Sequence, residues 1–152
     1  APYPMDKSTI VNEGAAQGLL VGGNLSMFQY LPQTLPEGFY DGAILFLEDC
    51  YEELSRFDKM FLHLKRLGVL KKISGLIAGE FYKAQDSGKP FGYTLEDIIR
   101  EHTKDLDIPV VMNAFFGHGK TLYTFPIGAK AALKAKSNAV LLDLTESPVQ
   151  TA

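Results

Sequence analysis

The sequence predicts an α/β domain built on a mixed β-sheet. The apolar segments 43–47, 73–81 and 108–114 have the composition of strands that are buried on both faces. Amphipathic segments separate them, at residues 52–67 and from Thr94 onward, and alternating strands and helices are typical of a parallel sheet covered by helices. The end of the chain changes to a two-residue period, which adds antiparallel strands and makes the expected sheet mixed.

Length and composition fit a single globular domain. The chain has 152 residues, enough for one domain with a substantial core, and a net charge of −3. No stripe of Lys and Arg offers an electrostatic surface for nucleic acid, and no apolar run is long enough to span a bilayer. The single cysteine, Cys50, excludes an internal disulfide and fits a reducing compartment. These features predict a cytoplasmic protein that binds neither nucleic acid nor membrane.

The first residues predict a connection to another domain. Residues 1–17 are polar, contain prolines and begin without Met, so we expect an extended lead-in that follows a domain boundary. Residues 18–24 form a short apolar segment that ends in a Gly-Gly-Asn loop. One or two helical turns are expected from Asn24 to Leu31, before Pro32. The folded domain is therefore predicted to cover residues 18–152.

Two helices carry clear start and stop signals. The first begins with Glu52 and Glu53, ends with basic residues before Gly68, and so complements the helix dipole. The second begins at Thr94, with Asp97 three residues later at the reciprocal position of a capping box. Their apolar residues recur at three- and four-residue spacing, and we expect them to be buried: Leu54, Phe57, Phe61, Leu64 and Leu67 in the first helix, Leu95, Ile98 and Ile99 in the second.

The C-terminal part predicts antiparallel strands. Residues 121–125 are expected to begin this β-rich tail. Between residues 129 and 136, Ala and Leu alternate with Lys, which favours a strand with one buried face, although the same residues have high helix propensity. A turn at Ser137 and Asn138 would then lead into residues 139–144 as a hairpin.

An acid and a histidine stand at the ends of predicted strands. Glu48 follows the first buried strand, and His118 follows the third, between Gly117 and Gly119. Because ligands gather beyond the carboxyl ends of parallel strands, both side chains could meet at the same edge of the sheet. A histidine held by a carboxylate has the fixed tautomer that a general base needs. The alternatives, a solvated strand end and a loop histidine without a role, remain open at this point.

No complete catalytic site is evident. His63 and His102 lie within the predicted helices, where packing or surface roles are expected, and no cluster has metal-ligand spacing. None of the serines lies in a Gly-x-Ser-x-Gly elbow. Cys50 could act as a nucleophile beside Glu48, but a lone cysteine is more often a packed residue. The acid and histidine therefore lack an obvious nucleophile.

An ordered set of motifs runs along the chain: GLLVGGNLS at 18–26, ILFLED at 44–49, Arg56, ISGLIAGEF at 73–81, FGH at 116–118 and FPIG at 125–128. Their order resembles the C-terminal domain of the LD-carboxypeptidases, the S66 serine peptidase family, which includes microcin C self-immunity proteins. The resemblance extends over residues 14–144.

The resemblance implies a fold and an activity. It implies a swivelling β/β/α-like domain that supplies Glu48 and His118 to a Ser-Glu-His triad, with no cofactor and no metal. It places the nucleophilic serine and the oxyanion hole on an N-terminal domain absent from this chain, so the chain alone is expected to be inactive. The implied substrates are murein peptides, cleaved next to a free carboxylate, or peptide-nucleotide conjugates. By their position, Asn24 and Glu80 are expected either to line the substrate pocket or to hold their own loops, and the resemblance implies a homodimer.

Two segments leave the subfamily and the role of the domain open. Residues 50–56 are acidic where a family member acting on an anionic substrate would favour a cation. Residues 83–93 predict a flexible loop that either tunes specificity or is simply solvated. The alternative to a catalytic domain is a module for ligand binding or dimerisation that has lost catalysis.

Overall fold

A seven-stranded mixed sheet forms the centre of the protein. The computed structural model describes residues 3–86, 88–120 and 123–147. The order of the strands across the sheet is β1-β5-β4-β3-β2-β6-β7. Their bounds are β1 Thr9–Asn12, β2 Gly14–Asn24, β3 Ile44–Cys50, β4 Gly75–Tyr82, β5 Val110–Met112, β6 Lys130–Lys136 and β7 Ala139–Leu144.

The central strands are parallel and the outer strands are antiparallel. β2, β3, β4 and β5 run in the same direction, whereas β1 pairs with β5, and β6 with both β2 and β7, in antiparallel fashion. The predicted mixed sheet is therefore confirmed. The carboxyl ends of the four parallel strands share one edge of the sheet, and we call this edge the rim.

The helices lie between the strands in sequence. Their bounds are α1 Leu25–Phe28, a 3₁₀ turn Leu31–Gln33, α2 Leu54–Arg66, α3 Val69–Lys72 and α4 Leu95–Thr103. α4 begins with the predicted capping box, in which Thr94 and Asp97 exchange backbone-to-side-chain hydrogen bonds, and Gly68 follows α2 with a φ of 78°. None of the described helices is long and apolar enough to cross a membrane.

The two faces of the sheet bury separate apolar clusters. On β3, Leu45 and Leu47 belong to the cluster that also contains the buried residues of α2 and α4. Ile44 and Phe46 belong to the cluster on the opposite face, with Ile77, Val111 and Phe116. This alternation follows from the two-residue period of a strand. β3 is buried on both faces, as its continuous apolar sequence predicts.

The sheet includes more of the N-terminal segment than the sequence predicts. Residues 9–12, expected in the lead-in, form β1 against β5, and β2 begins at Gly14 because residues 14–19 pair with β6. α3, which follows α2, was not predicted. Glu48 and Asp49 lie within β3 rather than after it.

The C-terminal hairpin is confirmed. Ser137 and Asn138 form its turn with φ angles of 52° and 64°, and Ala131, Leu133 and Ala135 face the core. The segment with both strand and helix propensity forms the strand β6, because it pairs with β2 on one side and with β7 on the other. The expected start of the tail is only partly testable, because residues 121 and 122 lie outside the described residues and residues 123–125 are not in a strand.

Candidate active site

Glu48 and His118 meet at the rim. Glu48 is near the end of β3, and His118 is in the loop after β5, two positions away in the sheet. The Nδ1 atom of His118 lies 2.6 Å from Oε2 of Glu48. The structure therefore brings together the two residues that the sequence placed at the ends of parallel strands.

A β-bulge marks the point where Glu48 leaves the regular pairing. Leu47 pairs with Ala78, but Asp49 pairs with Phe81, so β4 has one extra residue opposite Glu48. Bulges of this kind re-aim side chains and are frequent next to active sites. The side chain of Glu48 continues the face of Ile44 and Phe46, on which Phe116 also packs. It therefore points toward the His118 loop, away from the helices.

Backbone hydrogen bonds attach the His118 loop to β4. The amide of Ala114 donates to the carbonyl of Ala78 at 3.1 Å, and the amide of Glu80 donates to the carbonyl of Phe116 at 2.8 Å. Glu80 and Gly117 form an isolated parallel bridge. The loop thus extends the sheet past the short strand β5, which fixes the backbone on which His118 is carried.

Two glycines permit the close approach of loop and strand. A Cβ on Gly79 would lie 2.6 Å from the carbonyl oxygen of Phe116. A Cβ on Gly117, whose φ is 116°, would lie 2.8 Å from the carbonyl oxygen of Glu80 and 3.1 Å from the Glu48 carboxylate. Any side chain at either position would push the loop away from the acid, so the glycines are requirements of the site's geometry.

The pair has the arrangement of a general base. The Glu48 side chain is 11% exposed and that of His118 is 50% exposed. When Glu48 is ionised, its oxygens can only accept, so Nδ1 of His118 donates and Nε2 is the basic nitrogen. Nε2 makes no hydrogen bond with any described residue. A buried acid thus orients an imidazole whose other nitrogen is open to a reacting group.

Asn24 lies at the rim but is engaged within the protein. It pairs with Glu48 in the β2–β3 register and caps α1, with its Oδ1 accepting from the amide of Met27 at 3.2 Å. Its Nδ2 donates to Oδ1 of Asp49 at 3.1 Å. Asp49, which is 3% exposed, also accepts from the amide of Ser26. The sequence places Asp49 beside Glu48 at the strand end but gives it no separate role; one residue from Glu48, it lies on the opposite face of β3.

Glu80 lies beside the His118 loop and is exposed. Its carboxylate packs against the backbone of Gly119, where a Cβ would find no room. In the strand order, Glu80 on β4 lies between Glu48 on β3 and the loop after β5 that carries His118. The predicted roles of Asn24 and Glu80 in substrate binding stay predictions, and the structure adds that Glu80 has the more accessible polar group.

The other residues considered for chemistry, Cys50, His102 and His63, lie in different environments. Desolvation and the carboxylates of Asp49 and Glu48 raise the pKa of the Cys50 thiol, which disfavours the thiolate that a cysteine nucleophile needs. His102 is buried in the helix layer and bonded to Asp58 at 2.8 Å, and His63 lies 3.5 Å from the Gln29 side chain. Within the described part of the chain, no group of His, Cys, Asp and Glu could hold a metal ion.

Known proteins share this fold and much of this sequence. A Bacillus subtilis protein named as a murein peptide carboxypeptidase is 30% identical over 130 residues, covering 86% of this chain and 41% of its own length. The crystal structure of a muramoyltetrapeptide carboxypeptidase from Oxalobacter formigenes superposes with a TM-score of 0.79 and 34% identity, covering 91% of this chain and 50% of that one.

A third relative extends the comparison to microcin immunity. The microcin C7 self-immunity protein MccF, solved with glutamyl sulfamoyl guanosine, has a TM-score of 0.79 at 24% identity, covering 95% of this chain and 42% of its own. At that identity the likeness shows the fold alone. The chain spans half or less of the length of these relatives.

A family profile matches the central part of the chain. The profile described as the LD-carboxypeptidase C-terminal domain matches residues 17–133, a segment that contains most of β2, all of β3 to β5, Glu48 and His118. The predicted resemblance and the predicted fold are thereby confirmed. The chain belongs to the LD-carboxypeptidase C-terminal domain family.

Proposed function

We propose that this chain supplies the acid and the histidine of a serine carboxypeptidase, and that the nucleophilic serine belongs to a separate domain. The observation that carries the proposal is the 2.6 Å contact between buried Glu48 and half-exposed His118. The hydroxyls of Ser8, Ser26, Ser55 and Ser74 form hydrogen bonds with groups other than His118. The pair therefore needs a hydroxyl brought to the open side of the imidazole.

The geometry supports a division of labour like that of a Ser-His-acid triad. Nε2 of His118 takes the proton from the serine hydroxyl as its oxygen attacks the amide carbon, and then gives that proton to the leaving amine. The same nitrogen deprotonates the water that hydrolyses the acyl-enzyme. Glu48 holds the ring by Nδ1 throughout and stabilises the imidazolium that forms. Both residues thus act through one exposed nitrogen.

The relatives' names suggest the class of substrate. One relative is named for murein peptides and one for a muramoyltetrapeptide, and MccF was solved with an aminoacyl-nucleotide analogue. We propose that this protein hydrolyses an amide bond in a short peptide, next to a free carboxylate. Asn24 and Glu80, at the ends of β2 and β4, would contact the peptide. A peptide-nucleotide conjugate is the second substrate class.

The cellular location and the oligomeric state belong to the same proposal. The single cysteine has no disulfide partner, which suits the reducing cytoplasm. We further propose that the complete enzyme is a homodimer, as the resemblance implies. Size-exclusion chromatography with light scattering would test the dimer directly, and a monomeric complete enzyme would contradict it.

The test is restoration of activity by a complementing domain. Residues 1–152 are joined to the portion of the Bacillus subtilis relative that the match does not cover, and hydrolysis of N-acetyl-L-lysyl-D-alanine is measured. We expect no hydrolysis by the 152-residue chain alone and measurable hydrolysis by the joined protein. The matched control is the joined protein with His118→Ala.

Two outcomes would contradict the proposal. Hydrolysis by the 152-residue chain alone would mean that the nucleophile lies within it, and Cys50→Ser would then identify or exclude the cysteine. A joined protein that folds cooperatively and binds the peptide without turnover would favour the alternative, a non-catalytic ligand-binding or dimerisation module.

A further inference from the structure

A lysine and two tyrosines form a cluster at the carboxyl ends of β3 and β4. The Nζ atom of Lys83 lies 5.0 Å from the ring centroid of Tyr51 and 5.4 Å from that of Tyr82. The two rings meet edge to face, with their centroids 5.6 Å apart. We call these three residues the rim cation cluster. Contacts of this kind attract a cation to the ring faces without neutralising it.

The backbone around the cluster is held in a fixed and unusual conformation. Tyr51 and Lys83 have φ angles of 57° and 54°, in the left-handed region that residues with side chains rarely adopt. The amide of Tyr51 donates to the carbonyl of Tyr82 at 2.8 Å. Farther out, the amide of Leu54 donates to the carbonyl of Gln85. These bonds join the two chain segments past the strands and flank the backbone that carries Lys83.

The cluster lies on the same face of the sheet as the catalytic pair. Phe81 packs against Phe57 of α2 on the helix side, and it pairs with Asp49. Tyr82 and its partner Cys50, one residue farther along, therefore face the other side, as Glu48 does. At roughly 3.3 Å per residue, Tyr82 lies about 7 Å beyond the level of Glu48. A peptide bound at His118 could reach the cluster with its next residue.

The charges around the rim indicate what Lys83 could bind. The carboxylates of Glu48, Glu80 and Glu52 all lie at or near the rim, and Arg56 is paired with Glu52 at 3.2 Å. A substrate carboxylate that binds here would therefore lie near several negatively charged side chains. Lys83 is exposed and makes no ion pair with any described residue, so its charge is available to an incoming anion.

We infer that Lys83 determines specificity by forming an ion pair with the free carboxylate of the peptide substrate, one residue beyond the scissile amide. This inference rests on the proposed function, because a carboxypeptidase is defined by that carboxylate. Tyr51 and Tyr82 hold the ammonium group over the rim, so little side-chain freedom is lost when the anion binds. The loop 83–93, whose role the sequence left open, begins at this residue.

The experiment compares two peptides that differ only in the carboxylate. The joined protein is assayed with N-acetyl-L-lysyl-D-alanine and with its C-terminal carboxamide. Lys83→Met should lower kcat/KM for the free acid on the order of tenfold to a hundredfold, mainly through KM, and should change the carboxamide rate by less than about twofold. Lys83→Arg keeps the charge and should restore most of the loss.

A matched lysine provides the control. Lys136 is exposed at the end of β6 that pairs near Gly14, at the edge of the sheet opposite the rim. Lys136→Met removes the same charge and should leave both rates unchanged. Equal losses on both peptides in Lys83→Met, or the same kinetics as Lys136→Met, would overturn the inference.

A binding measurement separates this inference from the proposed function. If the joined protein hydrolyses neither peptide, the proposed catalysis fails, but the carboxylate site is still testable in the 152-residue chain. The ring signals of Tyr51 and Tyr82 are followed by NMR while each peptide is added. We expect tighter binding of the free acid, with the preference lost in Lys83→Met. Equal affinity for the two peptides in the unmodified chain would overturn the inference.

Discussion

Among the described residues are two carboxylate–histidine pairs with opposite exposure. At the rim, the acid Glu48 is buried and the histidine His118 is half exposed, with Nδ1 and Oε2 2.6 Å apart. Between α2 and α4, the histidine His102 is 7% exposed and the acid Asp58 is 35% exposed, with a contact of 2.8 Å. The His102 ring also stacks on Phe61 at 6.2 Å.

The difference shows that a short contact alone does not make a catalytic pair. A general base must present a free nitrogen to its substrate, and the rim loop does this because glycines flank His118. A helix carries His102 into the apolar layer, where its ring fills space and ties α4 to α2. The first pair should therefore control rate and the second should control stability.

The largest expected effect is the loss of rate when the rim acid is neutralised. In the joined protein, Glu48→Gln keeps the shape but no longer favours the productive tautomer or stabilises the imidazolium. We expect kcat to fall about 10³- to 10⁴-fold, the range found for such acids in serine triads. Initial rates per folded molecule provide the measurement. Asp58→Asn is the control and should keep the rate within about twofold; similar losses in both would erase the distinction.

The next effect concerns stability. His102→Ala removes a buried ring, its stacking on Phe61 and its hydrogen bond to Asp58, which should lower the free energy of unfolding by about 2–4 kcal/mol. His118→Ala removes a half-exposed side chain and should change it by about 0.5 kcal/mol or less. Urea unfolding of the 152-residue chain measures both. A larger loss for His118→Ala would reverse the assigned roles.

The smallest effect is the pH dependence of the helix that carries His102. Hydrogen bonds from Thr94 and the charge of Arg100 hold the pKa of Asp97 below its ordinary value. The stabilisation is therefore present above the ordinary pKa and is lost as pH falls through the lowered one. Asp97→Asn should flatten the acid side of the stability curve. Asp143→Asn, on the exposed side of β7, controls for the lost charge, and an identical curve in both variants would contradict the expectation.

The sequence correctly predicted the features that depend on interactions between neighbouring residues. The capping box at Thr94, the turn at Ser137 and Asn138, and the buried strand 43–47 depend on neighbouring residues and are all present. Glu48 and His118 were found because strand ends in a parallel sheet converge. Their contact is a direct consequence of the topology.

Long-range pairing determined the features that the sequence did not reveal. β1 joins the sheet only through β5, and the first half of β2 is a strand because β6 lies beside it. The bulge opposite Glu48 includes Gly79, against which the distant residue Phe116 packs. The rim cation cluster depends on two left-handed residues, Tyr51 and Lys83, that no turn signal marks. These features require partners that are distant in the chain.

The central claim is that the rim pair, and not the helix pair, carries the chemistry. The most direct measurement is the initial rate of peptide hydrolysis per folded molecule in the joined protein, with His118→Ala and His102→Ala compared side by side. The account predicts at least about a 10³-fold loss for His118→Ala and little change for His102→Ala at a temperature where it is folded. Full activity in His118→Ala, or equal losses in both, would contradict it.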